Sequence, residues 1–215
     1  MEAGLWWLAL SWLGYFFIHS LLASLKVKYL VARKWPGFMP WYRLFFNLVA
    51  TVLLVVPLGM TWLLGGDTVL AWKGIWWWVG NGLSLAALAG FLYSLRHYDG
   101  SEFLGLRQLR EREQRVEDQE RFRISPLHCH VRHPWYFLAL ILIWTRDMTA
   151  PMLLSSVMMT LYFIIGSLLE ERKLLAYYGD AYAQYRERVP GLCPLPWKRL
   201  DRAQARELEQ QGNRE

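Results

Sequence analysis

Four blocks of about 20 uncharged, mostly apolar residues dominate this chain of 215 residues: 5–25, 44–64, 75–95 and 148–169. A helix needs about 20 apolar residues to cross a hydrocarbon core of roughly 30 Å. The helices of a soluble α-protein carry one apolar stripe, whereas these blocks are apolar all round. Apolar residues make up 54% of the chain and charged residues only 20%. The sequence therefore predicts an all-α, polytopic membrane protein with the lipid bilayer as its partner.

A shorter apolar stretch, 135–145, precedes the fourth block. As a helix it rises roughly 16 Å, about half of the hydrocarbon core. Pro134 suits the first turn of such a helix, where its missing N–H costs no hydrogen bond. We expect 134–145 and 149–170 to form a helical hairpin with Arg146-Asp147 at its tip. This gives about five transmembrane helices, the last two forming the hairpin, plus cytoplasmic helices.

Basic residues in the short loops predict the orientation in the membrane. The loop after the second block carries only Asp67 and Lys73, whereas 96–132 holds eight Arg. The loop after the first block carries five cations and no acid: Lys26, Lys28, Arg33, Lys34 and Arg43. We therefore expect a multi-pass protein of the cell (inner) membrane with its N-terminus outside and its C-terminus in the cytoplasm. The first block is not expected to be a cleaved signal peptide, because its positive charges follow it.

The polar segment 96–124 alternates Arg with Asp and Glu, which is typical of a solvated surface helix. Binding of nucleic acid is not expected, because the opposing charges cancel the field that phosphate binding needs.

Residues 126–136 (PLHCHVRHPWY) carry four possible metal ligands: His128, Cys129, His130 and His133. Structural zinc sites usually take ligands from two separated pairs, and here Cys193 stands alone, so no metal is expected. One alternative is a cluster of His and Arg near acidic lipid headgroups. Another is a polar cradle for an anionic or zwitterionic cofactor at the N-terminus of the helix that starts at Pro134.

Glu170 and Glu171 directly follow the fourth apolar block. Two carboxylates there are costly unless they are solvated or paired. A solvated helix end, with Glu170 and Lys173 one turn apart, accounts for them simply. The functional alternative is a carboxylate held at the membrane surface to meet a cation. The hairpin would bring Glu170 to the same side as His133 and so build a polar pocket from two distant segments.

Several motifs at fixed spacing carry a family resemblance: Arg132-His133-Pro134-x-Tyr136, Glu170-Glu171-x-x-Leu174, Tyr178-Gly179-x-x-Tyr182-x-x-Tyr185 and Val189-Pro190. This pattern resembles the isoprenylcysteine carboxyl methyltransferase superfamily. Further marks are similar to one branch of it, the bacterial methanethiol S-methyltransferases: His19-Ser20, Glu102-x-x-Gly105-Leu106-Arg107-Gln108 and Leu169-Glu170-Glu171-Arg172.

The resemblance implies a methyltransferase that binds S-adenosylmethionine at the cytoplasmic face. It implies that Glu170 holds this cofactor and that Phe122 and Arg123 also touch it. The full set of residues expected to bind the cofactor is His128, Arg132, His133, Pro134, Trp135, Tyr136, Glu170 and Glu171. The isoprenylcysteine branch has an Arg four residues before the Glu, to hold the substrate's carboxylate, and this chain has Gly166 there. The acceptor is therefore expected to be a small or lipophilic thiol, such as methanethiol.

Methyl transfer from a sulfonium is an in-line displacement, which needs positioning and exclusion of water. The thiolate is the nucleophile, so the acceptor must lose a proton. The base is unassigned among four candidates: His19, His97, His130 and Glu171. Other hypotheses are carboxyl or lipid methylation on the same fold, and a non-catalytic accessory protein of nitrite and nitric-oxide reduction.

These expectations divide the chain into three parts. An N-terminal three-helix membrane region covers 1–95. A catalytic region over 96–200 contains a cytoplasmic helix, the hairpin and a short amphipathic helix within 177–197 that Pro190 ends. A polar tail over 201–215 is expected to be poorly ordered.

Overall fold

The computed structural model describes residues 2–97, 99–113, 116 and 122–213, with the side chain of residue 97 excepted. In this part of the chain the α-helices are α1 (Glu2–Ala23), α2 (Leu25–Lys34), α3 (Met39–Leu64), α4 (Ile75–Ser94), α5 (Gly100–Leu104), α6 (Leu106–Glu111), α7 (Pro134–Trp144), α8 (Ala150–Arg188) and α9 (Arg202–Gly212). Two 3₁₀ turns cover Pro36–Phe38 and Leu95–His97. Two short strands, β1 (Thr68–Leu70) and β2 (Met148–Thr149), pair antiparallel.

Four of these helices are long and apolar enough to cross a bilayer: α1, α3 with the preceding 3₁₀ turn, α4 and α8. The helix α7 is apolar but has only 11 residues, as its sequence predicted. The prediction of an all-α polytopic membrane protein is confirmed. The physical reason is that helices satisfy every backbone hydrogen bond within one segment, which a hydrocarbon solvent requires.

The chain folds into two compact units. The first contains Met1–Ala71, Tyr98–Asp118 and Asp147–Met158, and the second contains Trp72–His97, Gln119–Arg146 and Met159–Glu215.

In the first unit, buried polar side chains join three apolar helices. The indole Nε1 of Trp12 donates a hydrogen bond to Ser155 Oγ at 2.9 Å. Ser155 Oγ and Thr61 Oγ1 are 2.7 Å apart, and the Thr61 hydroxyl also donates to the carbonyl of Pro57. Such bonds hold membrane helices together where the hydrophobic effect between helices is absent.

In the second unit, α4 packs closely against α7. A Cβ added at Gly90 would lie 2.9 Å from Leu138 Cδ2, so the Leu138 side chain would have to shift to admit a larger residue. At the other end of α7, the hydroxyls of Ser84 and Thr145 are 2.6 Å apart. These contacts fix α7, and with it the polar segment that precedes Pro134.

The predicted hairpin is formed by α7 and α8. Trp144 Nε1 donates to Thr160 Oγ1 at 3.0 Å near its tip. The second arm differs from the expectation, because α8 continues past Glu170 to Arg188 with one non-helical residue, Gly179 (φ 46°, ψ −126°). The amphipathic helix expected within 177–197 is thus the last part of α8, and it ends two residues before Pro190.

The prediction of a poorly ordered tail is wrong, because residues 202–212 form α9. Asp201 caps this helix by accepting from the backbone N–H of Gln204 at 2.8 Å, and the Gln204 side chain accepts from the Asp201 N–H at 3.1 Å. Ala205 and Leu208 are buried in an aromatic core with Phe122, Tyr178 and Tyr182. The prediction of disorder rested on the high charge of the tail and overlooked its apolar face, formed by Ala205 and Leu208 at a spacing of three residues.

The predicted surface helix over 96–124 is broken into α5 and α6, and about half of its second half lies outside the described residues. Gly105 separates the two helices with a φ of 89°. A Cβ at Gly105 would lie 2.7 Å from the backbone N of Leu44, so the turn requires glycine for both its conformation and its close approach to α3.

Candidate active site

The site forms where the segment before α7 meets the segment after α8. The backbone N–H of Arg132 donates to the carbonyl of Pro190 at 2.8 Å, and that of His133 donates to the carbonyl of Gly191 at 3.0 Å. These two bonds join the Arg-His-Pro motif to the Val-Pro motif, which lie almost 60 residues apart in sequence.

A buried ion pair between Arg132 and Glu171 lies at the centre. Arg132 Nε and Nη2 donate to Glu171 Oε1 at 2.9 and 2.7 Å. His133 Nε2 lies 3.1 Å from the same oxygen. Arg132 Nη1 donates to the carbonyls of Arg186 and Val189 at the end of α8. A buried pair stabilises a fold only when further hydrogen bonds satisfy both ions, and these contacts meet that condition.

Glu170 has different surroundings from its neighbour. Its side chain is 49% exposed, against 8% for Glu171. Glu170 Oε2 lies 3.5 Å from His133 Nδ1 and 3.4 Å from the hydroxyl of Tyr136. Strong charge-assisted hydrogen bonds are shorter, about 2.7 to 2.9 Å. Glu170 is therefore held loosely and keeps much of its carboxylate accessible.

His133 is buried with a carboxylate facing each of its ring nitrogens. Burial alone would lower the pKa of His133, but its hydrogen bonds to Glu170 and Glu171 and their negative charges outweigh burial and raise the pKa. A neutral imidazole has one donor and one acceptor nitrogen, so one carboxylate would then face a lone pair. The geometry favours the imidazolium.

Tyr136 lies along the face of α8 that carries Glu170. Its ring stacks on Phe163 (centroids 4.9 Å apart, planes 5° apart) and on His133 (5.4 Å, 9°). A Cβ added at Gly166 would come within 3.9 Å of the Tyr136 hydroxyl. Phe163, Gly166 and Glu170 are spaced i, i+3 and i+7 on α8, so the tyrosine follows one helical stripe that ends at the accessible carboxylate.

Three other predicted site residues make contacts outside this network. Pro134 is buried at the first position of α7. Trp135 Nε1 donates to Ser94 Oγ at 3.0 Å, so its ring packs on α4. His128 Nδ1 lies 2.7 Å from Ser125 Oγ, and the His128 carbonyl accepts from the hydroxyl of Tyr185 at 2.8 Å.

The four candidate bases are in different environments. Glu171 belongs to the ion pair described above. His19 lies in α1 beside the rings of Tyr15 and Phe46. His130 is exposed, with Nδ1 3.1 Å from the carbonyl of Pro126. The side chain of His97 lies outside the described residues.

The described residues contain no group of three His, Cys, Asp or Glu side chains that could hold a metal ion. Cys129 is buried. Burial raises the pKa of the Cys129 thiol, and the charge of Glu209 raises it further, so this sulfur stays protonated.

Sequence reasoning missed two residues at the site, Phe163 and Gly191, and named a third, Tyr182, only as part of a motif. Phe163 provides the second ring of the stack, and its spacing from Glu170 was the available signal. Gly191 lies against the ion pair, where a Cβ would come within 3.3 Å of Arg132 Nη2. Tyr182 is 1% exposed, and its hydroxyl has no hydrogen-bond partner among the described residues.

Comparison with known proteins finds relatives that share one name. The chain is 32% identical over 181 residues to methanethiol S-methyltransferase 2 of Bradyrhizobium diazoefficiens, which covers 82% of this chain and 68% of that protein. It is 38% identical over 119 residues to methanethiol S-methyltransferase of a Pseudomonas species, covering 54% and 43%. It is 41% identical over 80 residues to methanethiol S-methyltransferase 1 of B. diazoefficiens, covering 37% and 27%.

The chain therefore spans less than half the length of the last two relatives and about two thirds of the first. No family model and no solved structure matches it.

Proposed function

The chain belongs to the methanethiol S-methyltransferase family of isoprenylcysteine methyltransferase-type membrane proteins, and from this membership we propose that it transfers a methyl group from S-adenosylmethionine to a thiol. The single observation that carries the proposal is the accessible carboxylate of Glu170 beside the stacked rings of His133, Tyr136 and Phe163. Such a site offers an anion and an aromatic face to a ligand that carries two cationic groups.

The residues present fit this cofactor. S-adenosylmethionine has an ammonium, a sulfonium, a carboxylate and a ribose. Glu170 would hold the ammonium or the ribose hydroxyls, since its two contacts are long and half of it is exposed. The stacked rings of Tyr136 and Phe163 would offer an aromatic face to the sulfonium, because a cation is attracted to such a face. The side of the pocket away from Glu170 would be shaped by Pro134, Trp135 and His128. Trp135 contacts α4 and His128 contacts α8.

When bound, the cofactor would supply an activated methyl group, and the chain's own residues have to position it and exclude water. Arg132 and Glu171 are proposed as positioning residues, because they act through the backbone and His133. His133 is fixed by Glu171 and faces Glu170 with its Nδ1, 3.5 Å from Glu170 Oε2. A displacement of about 1 Å can cost two orders of magnitude in rate, so a locked support is what this reaction needs.

The proposed acceptor is a small or lipophilic thiol, as the names of the relatives suggest. Position 166 is a glycine and offers no cation to a substrate carboxylate. A thiol acceptor needs none, since its reacting atom is a thiolate sulfur that becomes a neutral thioether.

Calorimetric titration of the detergent-purified protein with S-adenosylhomocysteine tests the cofactor site. We expect micromolar binding by the wild type and at least a tenfold loss in Glu170→Gln. The matched control is Glu187→Gln, an exposed glutamate on the same helix, which should bind like the wild type. Absence of binding by a folded wild type would contradict the proposal and favour the accessory-protein hypothesis.

The acceptor is tested separately with deuterated S-adenosylmethionine. The expected result is labelled dimethyl sulfide from methanethiol and no labelled ester from a prenylcysteine. Labelled ester alone would replace the thiol by a carboxyl acceptor while leaving the cofactor site in place.

A further inference from the structure

The helix α2 and the start of α3 form a rigid corner between two membrane-spanning helices. Ser24 caps α2 by accepting from the N–H of Val27 at 3.4 Å. The hydroxyl of Tyr42 donates to the carbonyl of Leu22 at 2.7 Å and so ties the start of α3 to the end of α1. The 3₁₀ turn Pro36–Phe38 connects α2 to α3. The corner has a fixed geometry of the kind a binding site requires.

One face of α2 is exposed and carries positive charge. The exposed residues of this helix follow the spacing i, i+3, i+4, i+7 and i+8: Lys26, Tyr29, Leu30, Arg33 and Lys34. On this face, Lys26 on one side and Arg33 and Lys34 on the other flank the pair Tyr29-Leu30. That combination is typical of a helix lying in the membrane interface, where long cationic side chains reach the headgroups.

Within the described residues, these cations have no carboxylate partner. Between Glu2 and Asp67 the sequence contains no acidic residue. Among the described residues, no carboxylate forms an ion pair with Lys26, Arg33 or Lys34. The described acids Asp99 and Glu102 of the same unit face Arg107 instead. Among the residues that the structure describes, Lys26, Arg33 and Lys34 therefore have no counter-ion and are open to an external anion.

An aromatic hollow adjoins this charged face. It is shallow and open to its surroundings, with a volume of about 620 Å³, and it is lined by Trp35, Gly37, Phe38 and Trp41. Trp35 is 61% exposed and Trp41 is 50% exposed, although Met39 and Tyr42 beneath them are buried. Lys34 directly precedes Trp35, so the charged helix and the aromatic lining are adjacent in sequence.

We propose that this corner binds an anionic phospholipid, with its phosphodiester on Lys26, Arg33 and Lys34 and its glycerol and upper acyl chain in the Trp35–Phe38–Trp41 hollow. The charge of the face selects a negative headgroup. The aromatic hollow selects a lipid over a soluble phosphate, because tryptophan prefers the boundary between headgroup and acyl chain. The proposal is independent of the methyl-transfer site.

Native mass spectrometry of the detergent-purified protein tests this site. The protein is equilibrated with equal amounts of phosphatidylglycerol and phosphatidylcholine, and the retained lipids are counted. The wild type should retain phosphatidylglycerol preferentially. Each cation near an anionic headgroup contributes roughly a fivefold factor, so the triple variant Lys26→Gln, Arg33→Gln, Lys34→Gln should lose roughly a hundredfold in affinity.

The matched control removes three exposed cations of the other unit: Lys173→Gln, Lys198→Gln and Arg199→Gln. It should retain phosphatidylglycerol like the wild type, and so should Lys26→Arg with Lys34→Arg, which keeps the charge. The double variant Trp35→Ala, Trp41→Ala should lose affinity for the lipid without losing the charge preference.

Three outcomes would overturn the proposal. The first is equal retention of phosphatidylglycerol by the wild type and the triple glutamine variant. The second is an equal loss in the control variant, which would indicate attraction by net charge alone. The third is full displacement of the lipid by millimolar inorganic phosphate, which would make the face a free-phosphate site.

Discussion

Glu170 and Glu171 are adjacent in sequence but differ in environment, since successive residues on a helix point about 100° apart. Glu171 points inward, where Arg132 and His133 contact one of its oxygens. Glu170 points along the stripe that Tyr136 covers and remains half exposed. The sequence motif identified both carboxylates as important. The direction of each side chain gives the two different surroundings: Glu171 lies in the ion pair and Glu170 stays accessible.

This difference predicts effects of different size on stability for the same substitution at the two positions. Glu171→Gln should lower the free energy of unfolding by about 3 kcal/mol, because it leaves Arg132 as an uncompensated buried charge. Glu170→Gln should change it by less than about 1 kcal/mol, because its contacts are long and partly solvated. Denaturant titration in mild detergent, followed by tryptophan fluorescence, measures both. Equal losses of unfolding free energy in the two variants would contradict the different environments of Glu170 and Glu171.

The raised pKa of His133 predicts a pH-dependent contribution to stability. A group whose pKa is higher in the folded state stabilises the fold fully below its unfolded pKa, near 6.5, and loses this contribution as the pH rises through the folded value. The stability difference between the wild type and His133→Gln should therefore be largest near pH 5.5 and shrink above neutral pH. A series of denaturant titrations from pH 5.5 to 9 checks this, and a difference that grows with pH would disprove it.

At the scale of elements, the helices α8 and α9 extend further than their charge pattern indicated. The second part of α8 and the whole of α9 bury an aromatic core around Phe122 and Tyr182. Asn213, just after α9, accepts from the Phe122 N–H at 2.9 Å, and Glu209 accepts from the Ile124 N–H at 2.5 Å. The tail thus fixes the segment that leads to the Arg-His-Pro motif.

Truncation of the buried face of α9 should therefore destabilise the second unit. Leu208 is 2% exposed, and Leu208→Ala should cost about 2 to 4 kcal/mol from lost burial and the cavity left behind. Glu207→Ala, an exposed neighbour on the same helix, is the control and should change stability by less than about 0.5 kcal/mol. Thermal unfolding of the two variants in detergent compares them, and similar melting temperatures would show that α9 does not stabilise the unit.

At the scale of the whole molecule, the distribution of basic residues still predicts the orientation in the bilayer. The loop after α3 has little positive charge, whereas the loop after α1 and the segment after α4 are rich in Lys and Arg. Positive loops stay in the cytoplasm. The N-terminus is therefore expected outside and the C-terminus inside.

Labelling with a membrane-impermeant maleimide measures this orientation. Cys193 is exposed and should react in inverted vesicles but not in intact spheroplasts. In a Cys193→Ser background, Asp67→Cys in the exposed loop after α3 should show the reverse pattern. The same side for both cysteines would refute the predicted topology.

The sequence alone determined the class of fold, because the length and uniform apolarity of its blocks leave a helix across a bilayer as the stable solution. It also determined the short helix after Pro134 and the motifs that identify the family. These are local properties, set by hydrophobicity, by the restricted backbone of proline and by spacing along the chain.

Only the tertiary structure decided which motif residues contact one another. The backbone bonds from Arg132 and His133 to Pro190 and Gly191 join segments almost 60 residues apart, and no local pattern specifies such a register. The burial of α9 likewise depends on Phe122 and Tyr178 being present to cover its apolar face. Charge patterning along one helix cannot reveal this, because the free energy comes from burying two surfaces together.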